Sequence, residues 1–544
     1  MKPSQNTQKV VSQPAPIGGL NARDGAANMP PTDATTLTNW IPDSLGVRCR
    51  KGWREWATNI PGGAAVKSLF NYFAPSTAFP TGVFLTLPTV MPGKFFAATD
   101  TAIYDITTST DAPTLALALS GSTNAGWFST AITSNSGGNF LMTCSEADGY
   151  FTYDGTTWLR RVAGSAAGQI NGVNPNNLVH VSIWKRRAWF VERDTTKVWY
   201  LPVDSIAGTV QQLDLGPLFK RGGSLAYTAS WTIDAGEGID DFFVAVSSNG
   251  EVALYKGTDP ASATTFSLQG VWYVGQIPVG RRGYAPYGGD LLIISTDGIV
   301  PLSQVTRGGS GLLSASNGDY TSKISILLGE ALRKSFTTGG WQLLFSPADR
   351  LLLCNKPNYT GHTDEQFALS TVVNQWCLFK DIPALCLATV GSYTFTGTRD
   401  GRVLLIFQDY SDAVTYGALV GEPIRGEVVS AASSFDQPAL IKIFSMLRAN
   451  FISPFSPGVN SEVIGNYADP TYLASPDNSS YRSAAWDVAL WDAGIWSATN
   501  RTAFGDWMTV SGYGPAGAAH ITTACVGDTV LTRFDYMFTA GGPL

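Results

Sequence analysis

Between Lys94 and Phe407 the chain repeats one local figure seven times: four or five apolar or β-branched residues, a polar turn, then four or five more. The turns centre on Asp100, Asp148, Asp194, Asn249, Asp297, Asp349 and Asp400. Each figure predicts a hairpin, because Asp-Gly and Asn-Gly accept the positive φ that a tight turn between two strands requires. Successive turns are 48, 46, 55, 48, 52 and 51 residues apart, a mean of 50. Four short strands with their turns use about 40 to 50 residues, so the period predicts radial blades and an all-β chain built as a β-propeller of about seven blades, with six as the alternative. Unrelated hairpins distributed over two or three sandwiches are the competing arrangement.

A twisted four-stranded blade that is apolar on both faces buries them only against a blade on either side, and a closed circle leaves no face uncovered. Trp127, Trp158, Trp189, Trp199, Trp231, Trp272, Trp341 and Trp376 fall within the repeat zone, where flat side chains fill wedge-shaped gaps. One segment breaks the strand pattern. Thr321–Phe336 places Ile324, Leu327, Leu328, Ala331 and Leu332 on one helical face, which predicts a helix inserted between blades five and six as a blade-edge cover or a docking element.

The two ends differ from the middle. Residues 1–61 carry several Pro and Gly with little periodicity and predict an arm lying on another surface. Within this arm Arg48, Arg50, Lys51 and Arg54 alternate with Cys49, Trp53 and Trp56, as in an edge strand with a basic face. These four cations are the candidate subunit or adaptor contacts, and intrachain salt bridges are the alternative use for them. Residues 62–416 form the predicted propeller. After Tyr416 the period stops, and residues 417–544, with Trp486, Trp491, Trp496 and Trp507, predict a separate C-terminal β-sandwich-like domain.

Composition narrows the function. Aromatic residues make up 12 % of the chain and charged residues only 14 %, so large uncharged surfaces are expected to be buried in a core or between subunits. The net charge of −6 has the wrong sign for a protein that grips phosphates over its whole surface. Neither a signal peptide's apolar region nor a run long enough to span a membrane is present. Six cysteines are scattered without metal-ligand spacing and predict buried free thiols, in keeping with assembly in a reducing cytoplasm.

Chemistry is sparse. His180, His362 and His520 lie far apart, with no nucleophile motif near any of them, and the nucleotide-binding and zinc motifs are missing. The densest carboxylate group is Asp234, Glu237, Asp240 and Asp241. Such a group suits glycoside hydrolysis or calcium coordination in principle, and a polar turn feeding the strand at Phe242 in the simplest case. The chain is therefore expected to be non-enzymatic, without a cofactor or resident metal.

The stretches Arg186–Gly208, Gly222–Pro260 and Val274–Ser303, with the N-terminal Ala15–Trp53 and the turn Gly397–Phe407, resemble structural proteins of tailed bacteriophages. The resemblance is nearest to the tail nozzle proteins (tail tubular protein B class) of short-tailed phages. It implies a virion protein that forms a hexamer below the head-to-tail adaptor, with a channel for double-stranded DNA and lateral sites for tail fibres or spikes. A receptor-binding or glycan-degrading tailspike using Asp234, Glu237 and Asp241, and a baseplate component of a longer tail, are the alternatives.

Overall fold

The computed structural model describes residues 8–74, 88–119, 126–234, 239–262, 264–306, 321–357, 364–418, 421–476 and 502–543. Seven innermost strands stand around one axis: Ser68–Tyr72, Trp127–Thr133, Leu178–Trp184, Leu225–Asp234, Tyr284–Tyr287, Gln342–Ser346 and Cys386–Val390. Each touches the next, and the last returns to the first, so the β-propeller ring is closed. Six radial positions are sheets of their own, five with four strands and one with three; the remaining position is the first four strands of a nine-stranded sheet.

Every predicted hairpin forms. Six of the turn residues join the second and third strands of a blade; Asp349 instead joins the first and second strands, Gln342–Ser346 and Leu351–Asn355. The alternation within each strand explains the ring. In Lys94–Ala98, Phe95 and Ala97 enter the wedge shared with Phe395 of blade seven, while Phe96 and Ala98 enter the opposite wedge with Trp127 and Phe151 of blade two. Trp189 packs on Phe243 across the next-but-one wedge with ring centroids 4.2 Å apart. Each large side chain buried this way contributes about 1.5–3 kcal/mol from apolar transfer alone.

The helix is present as Ser325–Ser335, preceded by a 3-10 turn at Ser322–Ile324. Ile324, Leu328, Ala331 and Leu332 share a core with Leu292 and Ile294 of blade five and Leu343 and Leu352 of blade six. It covers the gap beside blade five, whose described residues supply only three strands.

The expected sequence of arm, propeller and separate terminal domain is replaced by interleaving. Gly52–Ala57, within the predicted arm, is the outermost strand of blade seven, paired antiparallel with Val403–Asp409. Gln8–Pro14 pairs along the C-terminal strand Val530–Pro543 over seven residue pairs. Asp33–Thr38 joins blade six to Ile424–Ser430, carrying the nine-stranded sheet outward through Gly517–Cys525 and Gly458–Gly465. A seven-stranded sheet centred on Leu440–Ser453 and Val530–Pro543 faces this outer half, and Tyr536, Phe538 and Phe444 share its core with Val428 and Ile521. The arm is ordered by unpaired strand edges of its own chain, which satisfy its backbone hydrogen-bonding groups more completely than a remote surface would.

All six cysteines are free and buried. No helix among the described residues is long and apolar enough to cross a membrane.

Candidate functional site

The propeller axis is filled with side chains from the innermost strands. Phe128, His180, Tyr227 and Tyr284, from blades two to five, meet there: Phe128 and His180 lie 4.9 Å apart, and Tyr227 stacks on Tyr284 at 4.4 Å. His180 Nε2 is 3.3 Å from the Tyr284 hydroxyl. Burial, helped by the charge of Arg281, pulls the His180 pKa down to about 3, so the ring is neutral at physiological pH.

Arg281 and Arg282 sit between Gly280 and Gly283, just before the innermost strand of blade five. Arg282 reaches across the axis to donate to the carbonyls of Lys67 (3.0 Å) and Trp127 (2.9 Å) and to Ser68 Oγ, with its guanidinium 5.5 Å from the Phe128 ring centre. Arg281 donates to the carbonyls of Leu225 (2.9 Å) and Ala226 and pairs with Glu146 of blade two. Burial lowers the Arg282 pKa, yet an arginine this far above neutrality stays charged, and the carbonyls around it replace lost hydration. These two residues stitch one side of the ring to the other.

Beside them lies a cavity of about 550 Å³. Lys67, Arg281, Arg282, Lys356 and Arg399 contribute to its lining, with Glu146 as the acidic residue in the wall. Lys67 pairs with Asp100 at 2.7 Å and Lys356 pairs with Glu365, so part of the cationic charge is balanced from behind. Gly126, Gly280, Gly339 and Gly340 form part of the rim, and Phe128, Val279, Trp341 and Pro357 add apolar wall. The site is concave, positive and partly apolar, on a chain of opposite net charge. Sequence reading missed it. The only signal was a pair of arginines bracketed by glycines, in a chain with few charges.

The four cations proposed as contacts are placed differently. Arg50 is fully enclosed and bound to Asp412, Asn39 Oδ1 and the carbonyls of Lys51 and Lys380, so it cannot present its charge to another molecule. Arg48 pairs with Asp528 at 3.1 Å and Asp43 at 3.4 Å. Arg54 pairs with Asp409 through two hydrogen bonds of 2.6 and 2.7 Å. Lys51 alone of the four is exposed, 6.0 Å from the Tyr410 ring centre. The intrachain alternative therefore accounts for three of the four.

The carboxylate group does not assemble into a described site. Asp241 receives hydrogen bonds from Lys185 (2.8 Å) and Thr232 (2.7 Å), and the lysine chiefly holds its pKa below the usual carboxylate value, opposite to what a general acid needs. Glu237 lies outside the described residues, as do His362, Trp486, Trp491 and Trp496, and the side chains of Asp234 and Asp240 are likewise not described. Among the described residues no cluster of three or more His, Cys, Asp or Glu side chains is arranged to hold a metal ion.

Fold and axis together define a β-propeller protein with terminal strands woven into an appended sandwich. No protein-family model matches the chain, and no curated protein does. It is similar to the extracellular domain of the one component system BT4673 from B. thetaiotaomicron, at 9 % identity and a TM-score of 0.40, over 76 % of this chain and 49 % of that one. The chain thus spans about half the length of that structure. It is also similar to BBS1N, solved in complex with ARL6DN (10 % identity, TM-score 0.37, 67 % of this chain and 99 % of that one). A third is YCF48 bound to D1 peptide (12 % identity, TM-score 0.33, 64 % and 99 %). Likenesses this distant carry no argument about function.

Proposed function

We propose that this chain is a structural subunit of a phage virion: a tail nozzle protein of a short-tailed phage, assembled as a hexameric ring through which the genome leaves the particle. The reading rests on the resemblance of its central and N-terminal stretches to tail proteins. The observation that bears on it most directly is the blocked propeller axis. With Arg281 and Arg282 crossing it and four aromatic rings beside them, duplex DNA has no path through one subunit, so any conduit must run between copies. A ring of subunits also accounts for the low charge of the chain, since surfaces between subunits need not be solvated. Negative net charge suits a wall that must let phosphates pass without holding them. In this reading the head-to-tail adaptor and the fibres or spikes bind the ring from outside, and Lys51 is the one member of the original basic set still available for such a contact.

The mass of the purified assembly tests the reading. Six times 58.0 kDa is expected by light scattering, with a ring in electron micrographs. A monomer of 58.0 kDa at virion-assembly concentrations, or a fibre-like trimer, would overturn it.

A further inference from the structure

Two of the six buried thiols meet. Cys49 ends the strand Gly46–Cys49, and Cys525 ends Gly517–Cys525. They lie 476 positions apart in sequence and on the two facing sheets of the appended sandwich, yet the Cys49 thiol donates a hydrogen bond to Cys525 Sγ. The backbone explains the meeting. The Cys49 N–H donates to the Thr529 carbonyl at 2.9 Å, and only residues 526–528 separate Thr529 from Cys525. The turn that carries the chain from one sheet to the other therefore brings both sulfurs to one corner. Trp40, opposite Cys49, and Ile424, opposite Cys525, complete the core around them. The other thiols are placed differently: Cys377 and Cys386 donate to the backbone carbonyls of Ala368 and Val66, and Cys144 and Cys354 are held in separate strands of blades two and six.

The seam that the pair straddles is lightly made. Gly46–Cys49 pairs with the C-terminal strand at two positions, Val47 with Leu531 and Arg48 with Val530. Three residues further on begins Gly52–Ala57, the strand that closes blade seven. A covalent bond here fixes both junctions at once.

We propose that Cys49 and Cys525 are an oxidation site, at which a small disulfide converts the two thiols into a bond that locks the N-terminal strands to the C-terminal sheets. The proposal does not depend on the tail reading, since both thiols belong to one chain. The step is a double exchange. One protein thiolate attacks the small disulfide, forming a mixed disulfide and releasing one small thiol; the second protein thiolate then attacks the protein sulfur of that mixed disulfide and releases the other. The two cysteines lose two protons and two electrons, and the small disulfide is reduced to two thiols. Hydrogen bonding to Cys525 and burial push the Cys49 pKa up, so the closed seam reacts slowly and the exchange proceeds through its local opening.

Oxidised glutathione on the full chain provides the test, with remaining thiols alkylated in denaturant and peptides mapped by mass spectrometry. The expected product is about 2 Da lighter than the reduced chain. It should contain one crosslinked peptide pair, joining Cys49 to Cys525, with the other cysteines alkylated. The crosslinked form is expected to melt about 3 °C or more above the reduced form, and dithiothreitol to reverse both changes. Cys525→Ala should abolish the crosslink and the gain in melting temperature; the readout on the parent chain stands even where that variant folds poorly. The proposal is overturned if Cys49 and Cys525 stay reduced in mild urea that opens the seam, if the reaction stops at a glutathione adduct on either residue, if other cysteines crosslink to the same extent, or if the Cys49–Cys525 bond leaves the melting temperature unchanged.

Discussion

The guanidinium of Arg50 gives two hydrogen bonds, of 2.8 and 2.7 Å, to the carboxylate of Asp412, a residue 362 positions away, and no part of the arginine side chain reaches solvent. The pair sits where the strand that closes the propeller leaves the terminal sheets. Asn39 Oδ1 and two backbone carbonyls take the remaining donors of Arg50, so the charge is both paired and hydrogen-bonded.

Removing one partner strands the other. Arg50→Met is expected to destabilise the chain by about 3–5 kcal/mol, because Asp412 is left buried without its counter-charge. The double variant Arg50→Met/Asp412→Leu is expected to regain part of that loss. Urea unfolding of the parent, both single variants and the double variant measures the coupling, and additive losses would contradict the pairing argument.

His520 introduces a pH dependence. Its ring nitrogens face Glu462 Oε1 at 2.7 Å and Glu427 Oε1 at 3.1 Å from the two neighbouring strands. Burial alone would lower the imidazole pKa, but the two carboxylates outweigh it and the value is raised above 6.5. The resulting stabilisation is complete below about pH 6.5 and is lost as pH rises through the raised value. Glu427 titrates in the opposite sense. His520 is the main cause of its lowered pKa, so its contribution is present above about pH 4.5 and disappears as pH falls through the lowered value. The melting temperature is expected to decline on both sides of a mildly acidic plateau. His520→Gln should flatten the alkaline limb, and a parent protein equally stable from about pH 6 to 9 would refute the assignment.

Trp189 tests the wedge packing. It is wholly buried between blades three and four, against Phe243 and Tyr200. Trp189→Ala is expected to cost about 3–5 kcal/mol, and Trp189→Phe much less, because Phe keeps most of the apolar volume. Equal losses in the two variants, measured by denaturation, would show that packing volume is not what the site requires.

Tyr536 joins the two ends of the chain through its hydroxyl, which donates to Gln13 Oε1 at 2.9 Å and accepts from the Ala519 N–H at 3.0 Å. Tyr536→Phe keeps the ring but leaves Gln13 Oε1 buried without its donor, while the Ala519 N–H keeps Ser430 Oγ at 2.9 Å, and is expected to cost about 1–3 kcal/mol. Amide hydrogen exchange should quicken first along Gln8–Pro14, the strand Gln13 belongs to. Unchanged exchange there would separate the hydroxyl from the docking of that strand.

The blades were legible because their information is local. Apolar alternation flanking Asp or Asn turns depends only on neighbours in sequence, and it located each hairpin, although at Asp349 it found the first hairpin of the blade rather than the second. The alternation around Trp53 likewise marked an edge strand, and Gly52–Ala57 is one. Its partner, some 350 residues further on, was not readable, because strand pairing is chosen by register and by available edges that leave no trace in either segment alone. Arg50 shows the same limit: a basic residue in an alternating run reads as exposed until a distant Asp412 encloses it. The cavity was invisible for a related reason, since Lys67, Arg282 and Arg399 converge only once the ring has closed.

The antiparallel pairing of Gly52–Ala57 with Val403–Asp409 also sets the order in which the molecule can be completed. On the ribosome the closing strand emerges before any of the blades, and then waits, edge exposed, until nearly the whole circle has been translated. Gln8–Pro14 waits longer still, for a strand that begins at Val530. Closure is thus a late, long-range event, slow by the entropy of joining distant segments and exposed to mispairing with other nascent chains in the interval. A polypeptide cut short before Val403 has every described strand of the first six blades and no latch with which to shut them.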